Sequence, residues 1–233
     1  MDTLIHELTR TVLLIVAALF PIINPPAAAF IILSLTPHAT LAERADLARR
    51  IAVNSFVILL ASLSVGAYLL SFLGISIPVL RVAGGIIVAM SGWRMLNEPD
   101  ATEQRRSEAP AYPRSFDTSP SRLAFYPLTM PLTTGPGTIS VAISLGASRP
   151  PTLHPTMIAF FFLETLAATL LLAMLVYGLY RNSARIANLI GATGTTIIVR
   201  LSAFLLFCIG IQVFWNGAAE LLGRLPFGTT PSG

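Results

Sequence analysis

Two short segments hold the residue types suited to recognising a solute inside a membrane. They read Phe20-Pro21-Ile22-Ile23-Asn24-Pro25-Pro26-Ala27-Ala28-Ala29 and Met130-Pro131-Leu132-Thr133-Thr134-Gly135-Pro136-Gly137-Thr138, each inside an apolar run. Prolines and glycines at membrane depth free backbone groups that hydrocarbon cannot satisfy. Such breaks persist only where protein, water or ligand lines them. Interrupted spans at matching positions of two halves are the strongest sequence pointer to a transporter's binding site.

After the first break a half-helix can start with Asn24 as N-cap and Pro25 at the first helical position. After the second, Gly135 can cap a helix that opens on Pro136. Free N–H groups of Ala27, Ala28, Gly137 and Thr138 would then present two positive helix ends to a carboxylate or other anion. Pro25 and Pro26 supply no N–H. The neighbours are small, and the hydroxyls of Thr133, Thr134 and Thr138 add polarity, which suits a compact ligand. A ligand ammonium would be served by the Phe20 or Met130 carbonyl or by the Asn24 side-chain oxygen. A kink without a ligand explains one such break; a matched pair favours a site.

Other polar groups are candidates for coupling to H+ or Na+. Glu164 is the one acid well inside an apolar run, either a proton carrier or a structural partner of an arginine. Gln212, Asn216 and Glu220 recur every four residues and form one stripe on the last helix, an inter-helix or cavity face. Asn54, Ser55, Ser62 and Ser64 mark an inward face of the second span. Gly84, Gly85, Ser91 and Gly92 let the third span pack closely. His6, His38 and His154 have no metal-ligand spacing, and no nucleotide loop or nucleophile–base set is present. The chain therefore reads as a non-enzyme, with no cofactor expected.

The elements that must position these residues follow from composition. The 233 residues are 54% apolar and 11% charged, with a mean hydropathy of +0.74, unlike a soluble domain of average composition. Residues 51–80, 123–148 and 201–219 hold no charge, and 150–180 holds only Glu164. About 20 apolar residues make one crossing. Six spans are expected, near 11–36, 51–72, 79–96, 124–146, 155–178 and 198–219, with a tight hairpin at Leu73–Pro78. The first is read as a retained span, since Asp2, Glu7 and the Asn24-Pro25-Pro26 interruption do not suit a signal peptide. Cys208, alone in an apolar span, excludes a disulfide framework and reads as a small packing residue.

All fifteen basic residues are arginine, scattered between spans, so the basic balance does not indicate nucleic acid. Nine of them (Arg44, Arg49, Arg50, Arg105, Arg106, Arg114, Arg122, Arg181 and Arg185) fall between spans one and two, three and four, and five and six. The positive-inside rule places those loops in the cytoplasm and both termini outside. Residues 98–122, rich in Pro, Ser, Arg and Glu, suit a flexible cytoplasmic linker between a first three-helix repeat (1–97) and a second (123–233). Three spans per half means that the second half enters inverted. The repeats share a proline break, offset by one inserted residue, and an arginine before the third span, Arg81 and Arg200. The fold class expected is an all-α polytopic membrane protein of two inverted repeats.

Taken together, Phe20-Pro21-Ile22-Ile23-Asn24-Pro25, Leu73-Gly74-Ile75-Ser76 through Gly85, Tyr126-Pro127-Leu128-Thr129-Met130-Pro131 through Ile139, and Ile209-Gly210-Ile211-Gln212-Val213 through Gly217 resemble the MarC family of integral membrane proteins. The family includes SnatA-type small neutral amino acid transporters. The resemblance covers nearly the whole chain and implies six spans and, for some members, transport of glycine, alanine and similar solutes. Two departures stand out. Pro26-Ala27-Ala28 replaces the small residue, such as glycine, that usually follows Asn-Pro, and Ala203-Phe204 stands where the last span often has glycine. The expectation is an inner (plasma) membrane secondary transporter of small neutral amino acids. Its site would be framed by Asn24, Pro25, Ala27, Ala28, Thr134, Gly135, Pro136, Gly137 and Thr138. A small-molecule substrate and the lipid bilayer would be its partners, with oligomeric state open. The rivals are a non-transporting membrane scaffold or assembly factor and, less consistent with these residues, an intramembrane enzyme.

Overall fold

The computed structural model describes residues 2–36, 39–97, 123–147 and 155–224. The linker expected at 98–122 lies outside them, as do His38, His154, Arg149 and four of the loop arginines, Arg105, Arg106, Arg114 and Arg122. The described residues are mostly helical, with no strand among them. In chain order the elements are α1 (Asp2–Ile23), α2 (Pro25–Leu35), α3 (Leu41–Phe72), α4 (Ile77–Asn97), a wide irregular helix α5 (Ala124–Thr133), α6 (Pro136–Ala147), α7 (Pro155–Arg181) and α8 (Ser183–Leu222). Five segments are long and apolar enough to cross a membrane: His6–Leu35, Leu41–Phe72, Ile77–Asn97, Thr156–Arg181 and Ser183–Leu222. The run expected as a span at 124–146 is instead split into α5 and α6, each too short to cross alone.

Polarity is arranged inside out. Exposed positions include Leu13, Val57, Phe72, Phe162, Leu201 and Phe204, whereas Asn24, Ser55, Thr133, Thr134, Thr165 and Thr169 are buried. A water-soluble protein would bury the first set and leave most of the second to solvent. An apolar exterior around a core that holds such polar groups among its apolar side chains is the pattern hydrocarbon solvation selects.

Helix ends differ from the sequence expectation in two places. α3 starts at Leu41, a decade before the expected span, because Thr40 and Glu43 form a reciprocal capping box: Glu43 N–H donates to Thr40 Oγ1 (3.2 Å) and Thr40 N–H to Glu43 Oε2 (2.8 Å). Arg44, Arg49 and Arg50 are therefore helical rather than loop residues. Thr40→Ala should destabilise the protein by about 1 kcal/mol, read as a lowered thermal midpoint in detergent. The region expected as a loop at 179–197 is also helical and turns at Gly191, whose φ of 77° requires glycine. The Leu73–Pro78 hairpin is present, with Gly74 at φ 71°.

Packing is close where glycines face helices. α4 and α8 run antiparallel: Gly217 abuts Pro78–Val82, Gly85 abuts Gly210 and Phe214, and Gly92 abuts Ala203 and Phe207. Backbone approaches backbone along this seam, the arrangement that replaces hydrophobic drive in lipid. Arg81 and Glu220 close one end with an ion pair at 2.9 Å. α6 lodges between α3 and α4, with Gly146 on Leu63, Gly66 on Ile143 and Gly84 on Ser140. α7 packs on α3, α1 and α2. The broken segments cross: α1 touches α6, and α2 touches α5.

Candidate functional site

The first break has a local cause. Pro25 disfavours right-handed helix at the residue before it, and asparagine tolerates the left-handed region better than most types. Asn24 sits there, at φ 49° and ψ 55°. Its N–H donates to the Phe20 carbonyl (3.0 Å) and its carbonyl accepts from Ala28 N–H (3.1 Å). Asn24 is thus the N-cap residue by position, but its side chain makes no cap bond. Its Nδ2 is buried without a partner, and the residue is only 7% exposed.

This corrects the donor inventory. Ala28 N–H is used within the helix, and Pro25 and Pro26 have none, so Ala27 holds the one first-turn amide of α2 without an intrahelical acceptor. In α6 the first helical bond runs from Ile139 N–H to the Gly135 carbonyl (3.0 Å). Gly137 and Thr138 therefore keep amides without intrahelical acceptors, as expected.

The second break is built from a tandem repeat, Tyr126-Pro127-Leu128-Thr129 and Met130-Pro131-Leu132-Thr133. Tyr126 (φ −126°, ψ 125°) and Met130 (φ −118°, ψ 119°) are extended, as a residue before proline prefers. Threonine hydroxyls supply donors that the prolines remove: Thr129 Oγ1 donates to the Ala124 carbonyl (2.7 Å) and Thr133 Oγ1 to that of Leu128 (2.8 Å). Thr134 N–H reaches back five residues to the Thr129 carbonyl (2.8 Å), where Asn24 N–H reaches back four. The one inserted residue that separates the two breaks in sequence is absorbed in this wide turn.

Neighbouring helices complete a polar cluster around the second break. Thr134 Oγ1 donates to Ser55 Oγ (2.9 Å), Asn54 Nδ2 approaches Thr129 Oγ1 at 3.3 Å, and Tyr180 Oη donates to Thr133 Oγ1 (2.9 Å). Thr129 and Tyr180 were not among the residues singled out in sequence. The repeated Pro-Leu-Thr was the available signal for the first, and Tyr180 carried none. An open cavity of about 350 Å³ lined by Asp46, Arg49, Arg50, Val53 and Asn54 adjoins this cluster through Asn54. Removing one partner of a buried hydroxyl pair strands the other, at about 1–3 kcal/mol. Thr134→Val should lower stability by that order, and Ser55→Ala with Thr134→Val should recover part of the loss, as measured by denaturation in detergent.

The remaining expected residues divide. Glu164 is buried on α7, which packs against α1 and α2, and it is the one buried charged residue among those described. Of the expected stripe, Glu220 does reach a neighbouring helix, pairing with Arg81 of α4, whereas Gln212 and Asn216 form no inter-helix or cavity face. Both are exposed on α8, where Gln212 Nε2 donates to Asn216 Oδ1 (2.9 Å). Cys208 is likewise exposed rather than packed. Among the described residues no group of His, Cys, Asp and Glu is arranged to hold a metal ion.

Long apolar helices, an apolar exterior and two breaks lined by buried polar groups define a multi-pass integral membrane protein. The sequence comparisons agree. Residues 9–222 match the family described as MarC family integral membrane protein. A protein named UPF0056 inner membrane protein MarC from Escherichia coli (strain SMS-3-5 / SECEC) is 34% identical over 220 residues, 93% of this chain and 97% of that protein. One of the same name from Citrobacter koseri is 34% identical over 219 residues, with the same coverage. No solved structure matches the chain. The chain belongs to the MarC family of integral membrane proteins.

Proposed function

We propose that this protein is an inner-membrane secondary transporter of small neutral amino acids, working by alternating access around its two broken helices. The observation that carries this reading is the pair of breaks, each held by buried polar groups and each opening a helix N-terminus suited to a carboxylate. Small residues at both breaks favour a compact ligand.

Two inverted three-helix repeats are part of the proposal, with α5 and α6 together forming a sixth, interrupted span. Packing supports it, because the main helix pairs recur when the halves are exchanged. α3 meets α7 and α4 meets α8, while α2–α8 answers α4–α6 and α1–α7 answers α3–α5. A shift of 110 positions also carries buried Ser55, Leu59, Ser62, Leu63 and Leu70 onto buried Thr165, Thr169, Leu172, Ala173 and Tyr180. Cytoplasmic arginine-rich loops, and hence both termini outside, follow from the positive-inside rule. Glu164 suits proton coupling, and carbonyls freed by the prolines suit sodium.

The test is counterflow of labelled glycine and alanine in proteoliposomes against protein-free vesicles. Accumulation dependent on internal unlabelled solute supports the reading. Absence of exchange across a panel of small solutes overturns it in favour of a scaffold. Reporters fused after residue 105 and at the C-terminus should fall on opposite sides of the membrane.

A further inference from the structure

The two breaks differ in how their polar groups are used. At the second, Thr134, Ser55, Thr133, Tyr180, Asn54 and Thr129 satisfy one another. At the first, Asn24 Nδ2 is buried without a hydrogen-bond partner, and so is Thr165 Oγ1 on α7, whose residue has no exposed surface. A buried polar group left unpaired carries a desolvation penalty that native structures rarely retain, except where something else completes it.

The repeat relation makes these two orphans counterparts of a bonded pair. Ser55 meets Thr134, the residue just before the N-cap Gly135. The 110-position shift that aligns α3 with α7 carries Ser55 onto Thr165 and Asn24 onto Thr134, the residue inserted in the second break following at Gly135. α7 packs against both α1 and α2, and Asn24 is the joint between them. The hydroxyl pair of the second half therefore has a counterpart in the first whose members do not bond each other.

We propose that Asn24 and Thr165 form the carboxylate-binding subsite, with the ligand occupying the position that the Thr134–Ser55 bond closes in the other half. Asn24 Nδ2, Thr165 Oγ1–H and the amide of Ala27 are three donors, a set matched to a carboxylate's oxygens, whereas an ammonium would have only Thr165 Oγ1 and Asn24 Oδ1 as side-chain acceptors. The positive end of α2 reinforces that sign. The second break, whose side-chain hydroxyls are already paired, holds the helix shape rather than the ligand's acid group. This assignment rests on the transporter reading for its ligand, but the proximity of the two residues does not.

The experiment is cysteine cross-linking in membranes of the full chain carrying Cys208→Ala and a protease site inserted in the 98–122 linker. Asn24→Cys with Thr165→Cys should join the two halves on mild oxidation, so that they stay together after cleavage under non-reducing conditions. Ser55→Cys with Thr134→Cys is the positive control, since those side chains are in contact. Failure of the first pair beside success of the second overturns the subsite. With Asn24 and Thr165 intact and Cys208→Ala, glycine and acetate should raise the thermal midpoint in detergent and methylammonium should not. A shift from methylammonium alone, or from none of the three, overturns the carboxylate assignment. In the cysteine-free chain, Thr165→Val should abolish the thermal shift given by glycine, and Thr165→Ser should keep it. Loss of counterflow in wild type with intact cross-linking and an intact glycine thermal shift would instead remove the transporter reading and leave the subsite standing.

Discussion

Gly210→Val is expected to prevent recovery of a folded, monodisperse protein, the largest structural effect of any single substitution considered. A Cβ at Gly210 meets the backbone of Ala89, not the tip of a mobile side chain, and a Cβ at Gly85 on the opposite helix would meet the backbone of Phe214 and the Gly210 carbonyl. Nothing there can rotate away, so α4 and α8 must separate along their length. Overpacking costs about 1–3 kcal/mol where side chains can adjust and more where they cannot. In lipid the loss is worse, because helix association depends on this contact. Size-exclusion profiles of detergent extracts would show aggregate in place of the native peak. Gly178→Ala, at a position with nothing within 4 Å, should elute and melt as wild type does. A normal profile for Gly210→Val would show that the seam is looser than described.

The second large effect falls on activity. Asn24 has two jobs that substitutions can separate: a left-handed backbone and a buried amide. Asn24→Gly keeps the first, since glycine adopts positive φ at no steric cost, and removes the second. Losing a hydrogen bond to a charged ligand group is worth about 1.5–3 kcal/mol, or roughly 10–100-fold in apparent affinity. Asn24→Gly should therefore weaken glycine counterflow by that factor while the thermal midpoint stays close to wild type. Asn24→Val should instead lower the midpoint, because a β-branched residue is strained at this φ. Equal transport by Asn24→Gly and wild type would remove the side chain from the site.

Much of the architecture was legible because lipid imposes simple rules on sequence. Charge-free runs located most of the helices, and the prolines at 21, 25, 131 and 136 located the breaks, since each removes a donor that only local rearrangement can replace. The glycines of the third span announced a close contact but not its partner; that α8 answers with Gly210 and Gly217 is a tertiary fact. The stripe of Gln212 and Asn216 misled for a related reason. Periodicity fixes which residues share a face, but not whether the face points inward, and their bond to each other removes part of the cost of facing out. Ala28 was miscounted as a donor because Asn24 retains the first helical carbonyl bond even in the left-handed conformation. Tyr180 was invisible because its partner, Thr133, lies 47 residues away in sequence.

The glycine seam between α4 and α8 also has a mechanical meaning. Side chains that interdigitate can change rotamer and let two helices slide, whereas backbones in contact leave no such slack. These two helices therefore form a strut of fixed length and angle, tied at one end by Arg81 and Glu220. Any large change of shape has to be taken up elsewhere, at the joints of α1 with α2 and α5 with α6. Distances measured by paired spin labels across the strut should stay constant while those across the joints vary.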